Sequence, residues 1–175
     1  ELTMNESEIK KKVEEVFKET GLISIPVEVV AMASFYGFSV YELEMDDKVS
    51  GMIIVGDQNL KDFDNDKVIV VNSNHAATRK RFTVAHELGH YILKNRPQNC
   101  YAHRDSGEVY NPEEKDANSF ASALLMPEED VKKFANSFFD NTFGDVDLMI
   151  IPKVARRYNV SESAAEVRLK KLEII

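Results

Sequence analysis

The chain has 175 residues, of which 43% are hydrophobic and 30% charged, with a formal net charge of −8. That is enough for one main domain with a real core, and the acidic balance argues against nucleic acid as the principal partner, since DNA binding rests on cationic side chains neutralising phosphates. The single Cys100 excludes an internal disulfide, the longest apolar runs are far too short to cross a bilayer, and no leader is visible at Glu1, so a cytoplasmic location is expected.

Ile9, Val13, Val16 and Phe17 recur at helical spacing over 6–20, ahead of a stop at Gly21. A second helix is expected after Ser24-Ile25-Pro26, with Val27, Val30, Ala31 and Ser34 on its inner stripe and Gly37 at its end. Three short stretches rich in β-branched or aromatic residues follow, at 38–43, 51–55 and 68–71. They read as strands of an antiparallel sheet. The polar segment 57–66 between the last two lacks the Gly and terminal Glu spacing of a calcium loop, and is expected to be a solvated hairpin tip.

The next helix, over about 78–94, carries the chemistry. It contains Arg81-Phe82-Thr83-Val84-Ala85-His86-Glu87-Leu88-Gly89-His90. His86 and His90 fall one turn apart on one face, with Glu87 about 100° round the axis. Phe82, Val84, Ala85, Leu88, Tyr91 and Ile92 make the segment apolar nearly all round, which places it in an interior. Two imidazoles and a carboxylate buried there must be paired, hydrogen-bonded or metal-bound. Gly89 costs roughly 1 kcal/mol in a helix interior, and so suggests close approach by another backbone or a substrate.

A catalytic zinc takes three protein ligands and keeps a fourth position open, so a third ligand must come from elsewhere. Residues 96–111 are expected to form a long, chemically varied loop containing Cys100, Tyr101, His103 and Tyr110. Asn111-Pro112-Glu113-Glu114 then opens a helix running to Met126. The candidates for third ligand are Glu114 and its neighbours Glu113 and Asp116, then His103 and Cys100, and last His75. Glu114 is also the third residue after the Asn111 cap, where it would serve equally well in a capping box. Asn118, one turn beyond Glu114, is placed to hydrogen-bond a ligand histidine. His103, Tyr101 and Tyr110 are candidates for stabilising an oxyanion.

After a short helix near 128–138 and a break at 141–144, two further segments follow, with Ser161 capping the second. Helix, short turn and helix is the outline of a helix-turn-helix. Lys153, Arg156, Arg157, Arg168, Lys170 and Lys171 outnumber Glu162, Glu166 and Glu173 there, but within so acidic a chain a packing or protein-docking role is expected rather than DNA reading.

The stretch from Arg81 to His90, taken with Glu114-Lys115-Asp116-Ala117-Asn118-Ser119-Phe120-Ala121-Ser122-Ala123-Leu124-Leu125-Met126-Pro127, resembles the ImmA/IrrE family of metallo-endopeptidases over about 25–127, with the helical tail also similar. The resemblance implies an α+β fold in which a small antiparallel sheet packs on a helical zincin-like core over 1–127, with a helix-turn-helix-like extension over 128–175. It implies that Glu114 joins His86 and His90 as the third ligand to Zn²⁺, or to Mn²⁺, which the same donors suit. It implies a protein substrate, a helix-turn-helix transcriptional repressor. The attached sensor domain of some members is not expected in a chain ending at Ile175. Glu87 would be the general base that activates water. The rival reading is a non-catalytic regulator, stabilised by metal, that docks protein or DNA. A fourth protein ligand, Cys100 or His103, would mark such a structural site.

Overall fold

The computed structural model describes residues 3–56, 63–94, 101–104, 111–142 and 149–175, with 101–104 described in backbone only. Among them are seven helices and four strands: α1 (Glu6–Thr20), α2 (Val29–Phe35), β1 (Ser39–Leu43), β2 (Val49–Val55), β3 (Lys67–Asn72), α3 (Ala77–Leu93), β4 (Tyr101–Arg104), α4 (Pro112–Leu125), α5 (Glu128–Asp140), α6 (Ile150–Tyr158) and α7 (Glu162–Lys171). The fold is α+β, as expected.

Local sequence accounts for most helix ends. Asn5 and Glu8 form a capping box at the start of α1, and Gly21 closes that helix at φ 69°. Asn111 accepts from the amides of Glu113 and Glu114 with Pro112 in the first turn of α4, and Ser161 accepts from Ala164 at the start of α7. The second helix departs from its reading. It begins at Val29, and its inward face is Val29, Met32 and Ala33, while Val30, Ala31 and Ser34 face solvent. Two stripes with the same spacing compete on so short a helix, and the one carrying the bulkier Met32 is buried.

The sheet order is β1-β3-β2-β4. It is mixed, not wholly antiparallel: β2 pairs antiparallel with β3 and β4, but β1 pairs parallel with β3, Ser39 opposite Val68 and Leu43 opposite Asn72. β3 lies between β1 and β2, separating two strands that are neighbours in sequence. The expected loop at 96–111 contains β4, whose Cα register sets Gly51 opposite His103 and Ile53 opposite Tyr101. Cys100, Tyr110, the rest of that loop and residues 57–62 of the hairpin tip lie outside the described residues.

One buried cluster runs from Ile9 and Val13 on α1 through Ile69 and Val71 on β3, Val84 and Leu88 on α3, and Phe120 and Leu124 on α4 to Val154 and Leu169 in the tail. α3 rests on the sheet at Gly51, where a Cβ would stand 2.6 Å from both Thr83 Cγ2 and the Val70 carbonyl oxygen. Any side chain there would lift the helix.

Asn72 at the end of β3 is fully buried. Its Nδ2 donates to the carbonyls of Met45, Asp46 and Val49 at 3.2, 3.0 and 2.9 Å. Its Oδ1 accepts from the amides of Met45 at 3.3 Å and Asn74 at 3.0 Å. One side chain thus holds the β1–β2 connection and the approach to α3. Asn72→Ala is expected to strand these backbone groups and cost about 2–4 kcal/mol in chemical denaturation, well above an ordinary surface substitution.

Candidate metal centre

α3 presents His86, Glu87 and His90, all buried. α4 packs along it more extensively than on any other element, and brings Glu114 across. The His86 and His90 Nε2 atoms are 3.0 Å apart, His86 Nε2 is 3.1 Å from Glu114 Oε2, and His90 Nε2 is 3.3 Å from Glu114 Oε1. A tetrahedral ion with bonds of about 2.0–2.1 Å has ligand atoms separated by about 3.3 Å. The three groups therefore have the spacing of one face of such a site, and among the described residues they form the one cluster able to hold a metal.

Close approach of the helices makes this possible. A Cβ on Gly89 would lie 2.9 Å from Phe120 Cδ1 and 3.3 Å from the Ala117 carbonyl oxygen. The backbone that Gly89 admits is that of α4. Asn118, one turn past Glu114, has Oδ1 at 2.8 Å from His86 Nδ1. A carbonyl oxygen only accepts, so Nδ1 carries the proton and Nε2 keeps its lone pair toward Glu114 and His90. That fixes both the tautomer and the ring orientation a metal ligand needs.

The other candidates lie elsewhere. Asp116 is turned to the far side of α4, where its carboxylate accepts from the Met4 amide at 3.0 and 3.2 Å. His75 lies with Nε2 at 3.1 Å from the Asp47 carbonyl oxygen, and Glu113 is outside the cluster. The backbones of Tyr101 and His103 are in β4, but their side chains, with Cys100 and Tyr110, lie outside the described residues.

Three residues brace α4 without any signal in local spacing. Asp116 ties it to the amino-terminal segment. Arg168 on α7, buried, donates from Nε to the Met126 carbonyl at 3.1 Å, and burial pulls its guanidinium below the ordinary value. Lys171 reaches Ser119 Oγ at 3.0 Å and Glu6 at 2.6 Å. The signal that could have found Arg168 is weak: it lies among Ala165 and Leu169 on a buried face, where a charged residue is rare unless it caps or pairs.

A helix-borne pair of histidines joined by a carboxylate from a second helix is a metal site of the metallopeptidase class. The chain belongs to the IrrE N-terminal-like domain family of peptidases, matching that family's model over residues 52–170. It is 34% identical over 83 residues to an uncharacterized immunity region protein 2 of Bacillus phage phi105, an alignment covering 47% of this chain and 51% of the phage protein. Its fold resembles that of a Mycobacterium tuberculosis transcriptional regulator, with TM-score 0.58 and 17% identity, covering 93% of this chain and 47% of that one. The chain thus spans about half the length of each of these relatives. No described helix is long and apolar enough to cross a membrane.

Two substitutions probe the assembly. Asn118→Ala is expected to keep the fold and weaken metal affinity by about 10–100-fold in a competition titration. Gly89→Ala is expected to push α4 from α3, costing about 1–3 kcal/mol of stability, and to weaken metal binding in the same assay.

Proposed function

We propose that this chain is a metal-dependent endopeptidase that cleaves a cytoplasmic protein substrate, a helix-turn-helix transcriptional repressor. The observation that carries the reading is the convergence of His86, His90 and Glu114 beside a buried Glu87. Family membership supports the peptidase class, and the immunity-region relative supports a setting in which a repressor is removed.

The donors fit a divalent metal. Two imidazole nitrogens and a carboxylate oxygen suit Zn²⁺, and suit Mn²⁺ as well. Bound there, the metal supplies a Lewis acid that polarises a carbonyl and acidifies water. Glu87 accepts the proton from the attacking water and passes it to the leaving amine, so the peptide C–N bond breaks as the new C–O bond forms. Asn118 holds the His86 ring in its ligand tautomer throughout. Glu114 has a side chain 18% exposed against 2% and 0% for the two histidines, so a substrate reaches the described site from the Glu114 side.

Repressors with helix-turn-helix domains, co-expressed with this chain, are expected to be cut in a manner that a chelator stops. Glu87→Gln should retain the metal by elemental analysis and lose cleavage by at least about a hundredfold, whereas His86→Ala should lose both. A wild-type protein that binds metal stoichiometrically but cuts none of these repressors, or a Glu87→Gln protein that still cuts them, would falsify the proposal.

A further inference from the structure

A groove of about 870 Å³ starts at Glu114 and Asn118 and runs between the first turns of α3 and the tail, reaching Val160, Ala164, Val167 and Lys171. Its far wall is therefore built by α7 and the turn before it. Val167 is 62% exposed, an unusual position for a large aliphatic side chain with no covering element. Together with Phe82 on α3, it makes an apolar strip continuous with the metal centre.

The faces of α7 are assigned by what they touch. Ala165, Arg168 and Leu169 are buried toward the core. Ala164, Val167 and Lys171 line the groove. The remaining stripe is Glu162, Glu166 and Lys170, with Lys170 and Glu166 paired at 2.5 Å. That leaves a net negative outer face, the wrong sign for a phosphate backbone. The basic surplus of the tail is also largely spent inside the molecule: Arg157 on Asp130, Arg168 on the Met126 carbonyl, and Lys171 on Glu6 and Ser119. A helix that outlines a DNA reader thus turns its contact stripe into the peptidase cleft.

We infer that the groove between α3, α4 and α7 docks the substrate polypeptide beside the scissile bond, with α7 as its specificity wall, and that the docked segment pairs apolar side chains with acidic ones. The inference rests on the peptidase reading for the identity of the occupant. Continuity with Glu114 supplies the link to the chemistry. The apolar strip supplies the first preference, and charge supplies the second: three of the four charged lining residues, Arg79, Lys115 and Lys171, are basic, the fourth being Glu114. Lys115 is exposed at the rim, and the hydroxyls of Ser119, Ser122 and Ser163 along the floor suit the backbone of a bound peptide.

The test uses the full chain, loaded with zinc and carrying Glu87→Gln to stop turnover, on an array of short peptides. Apolar residues are held constant in the array, and their flanks are acidic, basic or uncharged. Acidic-flanked peptides should be captured about tenfold better than basic ones. Val167→Glu and Lys115→Glu should each reduce that capture by at least about fivefold. Val30→Glu, on exposed α2, should leave it unchanged. Capture that ignores Val167→Glu, capture without acidic preference, no capture at all, or binding of duplex DNA that Val167→Glu abolishes would each overturn the inference. Cleavage of the captured peptides by the zinc-loaded wild-type chain is read separately. Docking without cleavage removes the peptidase reading and leaves the groove as a docking site, whereas cleavage indifferent to Val167→Glu does the reverse.

Discussion

The contact between Gly89 and the backbone of α4 is the constraint on which the site depends. With 3.3 Å between a hypothetical Gly89 Cβ and the Ala117 carbonyl oxygen, and less to Phe120, no larger residue fits without moving a helix. The glycine gives up roughly 1 kcal/mol of helix stability. In return the two axes come close enough for Glu114 to reach both imidazoles and for Asn118 to hold one of them. Glu114 is held as close to both rings as a shared ion demands, which leaves little tolerance for a shift in either helix.

Because the site is divided between two helices, whatever positions α4 also positions the chemistry. Asp116 binds the Met4 amide near the start of the helix, Arg168 meets the Met126 carbonyl at its end, and Lys171 bridges Ser119 and Glu6 between them. The amino-terminal segment and the tail therefore act on the same element from two sides. α3 is fixed from below, where Thr83 presses on Gly51 of the sheet. An occupant of the groove touching α7 would push on a wall already joined to α4, which gives a physical route from recognition of a substrate to the geometry of the ligands.

The elements read most fully from the sequence were those with local signals. α1, α4 and α7 begin at Asn5, Asn111 and Ser161 because each side chain satisfies amides a turn away, and such bonds need no tertiary partner. α2 was misread on its buried face, since seven residues allow two equivalent stripes and only the neighbours choose between them. The parallel pairing of β1 with β3 was also invisible, because alternation marks a strand but not the direction of its partner. Asn72 reads as a loop residue, and only the folded chain shows five backbone groups converging on it.

For the metal centre the division is similar. The spacing of His86, Glu87 and His90 was determined by the sequence alone, since helical periodicity puts residues four apart on one face whatever surrounds them. Spacing offered several third donors and could not choose among them. Tertiary structure separated them: it sent Asp116 to the amino-terminal segment, left His75 on the Asp47 carbonyl, and set Glu114 against both rings. The reason is physical. A contact across twenty-eight residues depends on how two helices dock, and that docking is set by the missing side chain at Gly89, the bulk of Phe120 and the braces at each end of α4, none of which is a property of local sequence.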